Sequence, residues 1–174
     1  MQDHPLNKLV ISRLWNGEAA GPLEIAAVEF RIEPDALLVR VDAPFHDDPP
    51  PAAPAGSTDR LWDYEVVELF LLGRDLAYLE IELGPHGHYL VLQLKGERQL
   101  VKKGLTIAYT ASIDGLRWRG TARIPLPCLP PEIDRANAYA IHGQDEGRRY
   151  LAAFPLCGEI PDFHRLNAFQ EIRL

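Results

Sequence analysis

The chain has 174 residues and a formal net charge of −7. Hydrophobic residues make up 47% and charged residues 25% of the sequence, a composition typical of a globular protein. The acidic balance argues against a nucleic-acid partner and against an anionic membrane surface, because both require a basic face. No apolar run approaches the roughly 20 residues that a membrane-spanning helix needs.

The length fits one domain over residues 1–174. The segment MQDHPLNKLV lacks the basic and then apolar pattern of a secretion signal, so we expect a cytoplasmic location. Cys128 and Cys157 have no metal-ligand spacing, which favours free thiols and leaves a disulfide between them open. A proline-rich loop inside the domain is predicted over 44–61.

The clearest pattern is a three-strand meander over 62–72, 76–83 and 88–94. Residue types alternate along each strand, so each set should lie on its own face of the sheet. One face is predicted to be purely aliphatic and to form the core. The other face is predicted to carry Trp62, Tyr64, Glu68, Phe70, Tyr78, Glu80, Glu82, Tyr89 and Gln93.

The short turns between these strands predict a register with Glu68 opposite Glu80 and Glu82 opposite Tyr89. Two carboxylates directly opposite each other are unfavourable unless a proton, a cation, an arginine or a hydroxyl-rich ligand compensates them. Alternatively, a loop covers this face and the acids are internal ion partners. The candidate partners in that case are Arg148, Arg149 and Lys102.

A second hairpin is predicted over 105–124, with a type I′ turn at Asp114–Gly115 and with Leu116 buried on the return strand. A third hairpin is predicted over 137–154, and it sets His142 opposite Arg149.

The tail 169–174 can close a sheet edge, and only 127–131 and 161–167 indicate helical turns. The predicted fold is therefore all-β: a two-sheet antiparallel β-sandwich with one or two short helical turns.

Aromatic rings beside carboxylates suit saccharide recognition, because rings stack on the apolar faces of sugars and acids accept hydrogen bonds from hydroxyls. In this hypothesis Trp62 and Tyr64 stack on the ligand. The acids of the meander accept its hydroxyls, and residues from neighbouring loops line the rim. The candidate ligand-binding residues are Trp62, Tyr64, Glu68, Glu80, Glu82, His86, His142, Arg149, Asp162 and His164. A role as the cap of a helical turn is favoured for Asp162.

No nucleophile elbow, phosphate-binding glycine loop or cysteine–base pair is present, so a non-catalytic binding module is favoured over an enzyme, with no catalytic residue, cofactor or metal predicted. Two alternatives stay open. One is a metal-assisted hydrolase or isomerase that uses Glu80, Glu82 and the histidines. The other is an adaptor whose aromatic face another protein covers. The pattern H-x-H at 86–88 is weak support for a metal site, and the oligomeric state is left open.

The blocks LWDYEVVELF, YLEIELGPHGHYLVLQL, AIHG and PDFHRLNAF resemble those of an uncharacterised family of bacterial and animal proteins. That family is in turn similar to family-9 carbohydrate-binding modules and DOMON-like domains, β-sandwiches that bind sugars or haem. The segment WRGTARIPLPCL carries part of this second likeness, as does the spacing of Trp62 and Glu68. The resemblance implies that Trp62 stacks on a sugar and that Glu68 binds a hydroxyl. Phe163 and Phe169 are the candidates for a second stacking ring, and haem is disfavoured because the only methionine is Met1.

Overall fold

The computed structural model describes residues 5–156 and 158–174. Cys128 is a free, half-buried thiol, whereas Cys157 lies outside the described residues. The strands are β1 (Asn7–Ile11), β2 (Arg13–Leu14), β3 (Ala26–Ile32), β4 (Ala36–Pro44), β5 (Gly56–Ser57), β6 (Val66–Leu72), β7 (Ala77–Leu83), β8 (His88–Lys95), β9 (Leu100–Lys103), β10 (Ala108–Asp114), β11 (Arg117–Pro125), β12 (Arg135–His142), β13 (Arg149–Ala152) and β14 (Gln170–Glu171).

These strands form two sheets, as the sequence predicts. The smaller sheet has five strands in the order β1-β3-β4-β11-β10. The larger sheet has nine, with a central path β2-β13-β12-β6-β7-β8-β5, while β14 pairs with β12 and β9 pairs with β8. The ladders are antiparallel, apart from the short parallel ladder between β5 and β8. The predicted all-β sandwich is confirmed.

The core between the sheets consists of the inward side chains of both. From the larger sheet it contains Val67, Leu69 and Leu71 of β6 and Leu79 and Ile81 of β7. These are the alternate residues that the meander pattern assigns to an aliphatic face. Burying such side chains between two sheets is the main favourable contribution to folding, roughly 1.5–3 kcal/mol for each large one.

The outer face of the larger sheet is buried as well. A second apolar cluster there joins Phe70 and Tyr78 of the meander to Tyr139 of β12, and the C-terminal segment 160–169 lies over it through Phe163, Leu166 and Phe169. Strand β6, with the sequence VVELFLL, is therefore buried along its whole length. A strand covered on both faces reads as a continuous apolar run rather than a strict alternation.

The register of the meander differs from the prediction. Glu68 is paired with Glu82 rather than with Glu80, because the connection between β6 and β7 comprises residues 73–76 and is longer than the predicted turn of residues 73–75. Leu72 is paired with Tyr78. This shift of two residues keeps each side chain of β7 on its predicted face.

The prediction for β8 is wrong by one residue, which reverses its faces. Glu82 is paired with Leu90 instead of Tyr89. The Gly84 N–H donates to the His88 carbonyl at 2.9 Å, so the turn has three residues instead of four, and Gly87 takes a φ of +84°. Leu90, Leu92 and Leu94 consequently lie on the acidic face, while Tyr89 and Val91 enter the core between the sheets.

Two local predictions need correction. Gly115 and Leu116 form the turn between β10 and β11, with only Gly115 at a positive φ (+59°), so Leu116 lies at the surface with 79% of its area exposed. Trp62 lies in a 3-10 turn before β6 rather than in the strand.

The helical structure comprises more turns than predicted, all of three residues. They are Pro22–Glu24, Leu61–Asp63, Arg74–Leu76, Leu126–Cys128, Asp145–Gly147 and Leu166–Ala168. Within the described ranges, none of the helices has the length and apolarity needed to cross a membrane.

Candidate functional site

An open cleft of about 420 Å³ lies on the outer face of the larger sheet. Its floor comes from β6, β7 and β8, and its walls come from the turns beside them and from the C-terminal segment. The lining residues are Trp62, Asp63, Glu68, Phe70, Glu80, Leu92, Leu94, Arg98, Leu100, Ile141, Arg148, Tyr150, Pro161, Phe163 and His164. The volume falls within the range of about 300–1,000 Å³ that small-molecule sites occupy.

Three carboxylates meet at the floor. One oxygen from each of Glu68, Glu80 and Glu82 lies within 4.8 Å of the others. Alternation along β7 places Glu80 and Glu82 on the same face, and the register sets Glu82 directly opposite Glu68. Glu68 and Glu80 line the cleft, whereas Glu82 is fully buried.

Burial dominates the electrostatics of this cluster. Loss of hydration raises the pKa of each of the three carboxyl groups, and the negative charge of Glu80 raises the pKa of Glu68 further. Both oxygens of Glu82 and Oε2 of Glu80 are buried without a hydrogen-bond partner among the described residues. The three acids therefore form a buried cluster with unpaired oxygen atoms at the floor of the cleft.

The expected internal ion pairs to these acids are not found. Arg148 donates to the carbonyls of Gly143 at 2.9 Å and Trp62 at 2.6 Å. Lys102 is exposed on β9. Across residues 5–156 and 158–174, no arginine or lysine lies within 4.0 Å of a carboxylate of the cluster. Two arginine charges act from a distance: Arg148 partly lowers the pKa of Glu68, and Arg98 partly lowers the pKa of Glu80.

His164 is held against the cluster by a hydrogen-bond chain. The backbone N–H of Arg98 donates to the Tyr78 hydroxyl at 3.1 Å, and this hydroxyl lies 2.7 Å from Nδ1 of His164. Because the Tyr78 hydroxyl accepts a hydrogen bond from Arg98, its own proton is free to be donated to Nδ1 of His164. The neutral His164 ring then carries its proton on Nε2, which lies 3.8 Å from Oε2 of Glu80. Burial lowers the pKa of His164 to about 4, so the ring is neutral at pH 7.

Aromatic rings form one wall and the rim of the cleft. Trp62 is 38% exposed at the rim. Phe163 stacks on Tyr139 with ring centres 4.0 Å apart, and Tyr150 meets Phe163 edge-on at 6.1 Å. The Trp62 ring is thus available to a ligand, while Phe163 is fixed by its neighbours.

His142 and Arg149 are paired across β12 and β13, as predicted, but they do not line the cleft. Arg149 donates to both oxygens of Glu24 at 2.8 and 2.9 Å, and Nε2 of His142 lies 3.1 Å from the same carboxylate. The His142 ring also stacks on His46 at 3.5 Å. This cluster ties the loop before β3 to the larger sheet.

His86 and Tyr64 lie at a separate place, beside the proline-rich loop. His86 is exposed and meets Phe45 edge-on, and His88 is buried with Nε2 at 2.8 Å from the Ala53 carbonyl. The histidines invoked for a metal-assisted enzyme are therefore dispersed. In the described part of the chain, His164 is the one within 4.0 Å of the acids.

Asp162 stabilises the turn that carries His164. Its carboxylate accepts the His164 backbone N–H at 3.1 Å and a hydrogen bond from the Arg98 side chain at 2.5 Å. The C-terminal 3-10 turn begins later, at Leu166, so Asp162 orders a local turn instead of capping a helix.

Several cleft residues are not among the sequence-based candidates, notably Arg98, Tyr150 and Leu100. Arg98 lies in the turn between β8 and β9, in the stretch KGERQ, whose pattern gives no sign of a site. The sequence pattern does indicate the face of Tyr150. Side chains alternate along a strand, so Tyr150 must lie on the opposite face from its neighbour Arg149.

The comparisons with known proteins identify relatives along most of the chain. The UPF0462 protein C4orf33 homolog of Danio rerio is 41% identical over 164 residues, covering 88% of this chain and 83% of its own length. The Mus musculus homolog is 39% identical, covering 92% and 88%, and the Homo sapiens UPF0462 protein C4orf33 is 38% identical, covering 92% and 84%. No protein-family model matches the chain.

Among solved structures, the fold is similar to that of a candidate carbohydrate-binding protein from Bacteroides uniformis. The TM-score is 0.73 at 15% sequence identity, over 98% of this chain and 86% of that one. This likeness establishes a shared β-sandwich fold. The identity to the animal proteins establishes the family: the chain belongs to the UPF0462 (C4orf33) family.

Proposed function

We propose that the protein is a non-catalytic binding module for a small hydroxylated ligand, with a saccharide as the favoured class. The observation that carries this proposal is the exposed ring of Trp62 at the rim of a cleft whose floor displays the carboxylates of Glu68 and Glu80. A sugar presents an apolar face to a ring and hydroxyl groups to polar side chains, and the cleft offers partners for both.

Hydroxyl groups need acceptors and donors together. The acceptors are the carboxylate oxygens of Glu68 and Glu80, which line the cleft. The donors are the Nε2–H of His164 and the guanidinium groups of Arg98 and Arg148, which line the same cleft. Other hydrogen bonds already hold these donors in place, so the site is preorganised for a ligand.

The comparisons support this proposal at the level of the fold. The candidate carbohydrate-binding protein from Bacteroides uniformis has the same architecture. The likeness of the sequence to family-9 carbohydrate-binding modules, with Trp62 as a stacking ring, belongs to the proposal as well, and so does the likeness to DOMON-like domains.

The spacing of the acids supports binding rather than glycoside hydrolysis. Hydrolysing enzymes place two carboxyl groups about 5–5.5 Å or about 6.5–9.5 Å apart, with the sugar or a water between them. Here Glu68, Glu80 and Glu82 meet within 4.8 Å on neighbouring strands. Glu82 is fully buried and does not line the cleft, so it cannot act on a substrate there.

The experiment is isothermal titration calorimetry with a panel of mono- and disaccharides. We expect at least one to bind, Trp62→Ala to abolish the heat, and Trp62→Phe to retain binding within several-fold because it keeps an aromatic face. Leu116→Ala, which changes an exposed residue of the other sheet, is the control for an unspecific effect. Absence of heat with every sugar, or equal binding by Trp62→Ala, contradicts the proposal.

A further inference from the structure

We propose that Glu68, Glu80 and Glu82 form a binding site for one Ca²⁺ ion at the floor of the cleft. The site is defined by these three carboxylates alone, so it stands whether or not the cleft takes a saccharide.

The spacing of the oxygens fits a single ion. Ca²⁺ binds oxygen at about 2.3–2.6 Å, so two ligands on opposite sides of it lie at most about 5 Å apart. The three carboxylate oxygens lie within 4.8 Å of one another, which allows all three to contact one ion. Bidentate contacts from the three groups would supply up to about six ligand oxygens, the number at which Ca²⁺ coordination begins.

Glu82 provides independent support. Its side chain is fully buried, and neither carboxylate oxygen has a hydrogen-bond partner in the described ranges. A carboxylate in such a place is strongly destabilising unless an opposite charge meets it. No arginine or lysine of the described chain fills that role, and Glu82 points at the other two acids. A cation at the point where they converge would satisfy all three.

Shared protons are the competing explanation. Carboxylic acids that share protons lie at hydrogen-bonding distance, about 2.5–3.0 Å between oxygens. The carboxyl groups of Glu80 and Glu82 are close enough to share a proton, and, beyond burial, this contact raises the pKa of Glu82. A proton shared by that pair leaves the buried Glu68 uncompensated, whereas one ion can contact all three acids.

The ligand chemistry selects a large, oxygen-binding ion. All three ligands are carboxylates, which hard cations such as Ca²⁺ prefer, whereas Zn²⁺ sites are built mainly from cysteine and histidine ligands. Mg²⁺ usually keeps several waters, and the apolar side chains of Phe70 and Leu92 beside the acids offer no polar partners for them. Glu68 and Glu80 line the open cleft, which gives the ion a path to the site.

The test uses the whole protein freed of metal, titrated with CaCl₂ alone by calorimetry. We expect one Ca²⁺ per chain, and a rise in the melting temperature of roughly 5–10 °C when free Ca²⁺ is about 100-fold above its Kd. Glu82→Gln should weaken binding at least ~100-fold. Glu65→Gln, which changes a buried carboxyl outside the cluster, should bind as wild type does.

Glu82→Gln should fold at least as well as the metal-free wild type, because it removes a buried, unpartnered carboxylate. If it does not fold, Glu68→Gln takes its place with the same expectation. Lack of Ca²⁺ binding, unchanged binding by the folded variants, or a preference for Zn²⁺ over Ca²⁺ overturns the proposal. Sugar titrations on the same samples are a separate readout, so this site and the saccharide proposal can fail independently.

Discussion

Glu68 of β6 stands directly opposite Glu82 of β7, and both side chains are buried. Two carboxylates in this relation cost stability, since they repel each other and lose their hydration. Glu80, two residues along the same strand, adds a third acid to the same face. Apolar residues at these positions would give a more stable sheet, and this cost supports the ligand-binding roles proposed for the cluster.

Glu24→Gln should destabilise the protein by about 1–2 kcal/mol at pH 7 without changing ligand binding in the cleft. Hydrogen bonds from Arg149 lower the pKa of Glu24 from 4.5 to about 2. Because the folded pKa is the lower one, this stability is present above about pH 4.5 and is lost as the pH falls through about 2.

Urea unfolding across this range checks the effect: the gap between Glu24→Gln and wild type should close at the acidic end. Glu29→Gln, which breaks a more exposed pair with Lys8, is the control and should cost no more than about 1 kcal/mol. A gap that stays constant with pH would show that the Glu24 charge is not responsible.

The free energy of unfolding should decrease as the pH rises, because of the titration of Glu65. Burial raises the pKa of Glu65 from 4.5 to about 7, and its carboxylate accepts the backbone N–H groups of His46 at 3.0 Å and Asp48 at 3.3 Å. Because the folded pKa is the higher one, its contribution is complete below about pH 4.5 and is lost as the pH rises through about 7.

Glu65→Gln should remove this dependence. Its free energy of unfolding relative to wild type should therefore rise by about 1–2 kcal/mol between about pH 5 and pH 8. Chemical unfolding at both pH values measures the change, and parallel curves for the two proteins would contradict it.

Tyr78→Phe should weaken saccharide binding several-fold, because it removes the hydroxyl that bonds His164 and the Arg98 N–H. The loss of stability should be about 1 kcal/mol. Tyr109→Phe is a matched control, since the hydroxyl of the partly buried Tyr109 donates to the Gly84 carbonyl at 2.8 Å and Tyr109 does not line the cleft. Calorimetry that finds the same affinity loss in both variants would argue against a positioning role for Tyr78.

Asn137→Ala should be among the most destabilising single changes, at about 2–4 kcal/mol. The Asn137 amide donates to the Phe154 carbonyl at 3.0 Å, and its oxygen accepts the N–H groups of Ala138 and Phe154. Its removal leaves buried backbone groups without partners. Asn7→Ala is the control, because Asn7 is only half-buried and its amide donates to the carbonyls of Pro5 and Arg173 near the chain ends. Thermal unfolding that finds equal losses would contradict this account.

Local sequence patterns predict the sandwich because alternation, turn residues and strand length agree along the chain. They also predict that Glu68, Glu80 and Glu82 share a face, since β6 and β7 keep their period. The patterns fail at β8, where the length of the turn after Gly84 decides whether Tyr89 or Leu90 enters the core. The sequence of this turn is compatible with both a three-residue and a four-residue turn.

The rest of the site depends on contacts between distant parts of the chain. Arg98 and His164 meet through Tyr78, and Arg149 is drawn to Glu24, which lies 125 residues away. Local periodicity carries no information on such pairs, so the histidines and arginines of the predicted rim are dispersed over separate clusters while Trp62 and two of the acids line one cleft.

The role of Trp62 is tested most directly by the indole N–H signals in ¹H–¹⁵N NMR spectra during a saccharide titration. The three tryptophans are Trp15, Trp62 and Trp118, and Trp118 is buried between the sheets as an internal reference. Loss of one signal in Trp62→Phe assigns its peak. We predict that a saccharide moves the Trp62 signal with saturation and leaves Trp118 in place. A Trp62 signal that stays fixed with every sugar would contradict ligand stacking at the rim.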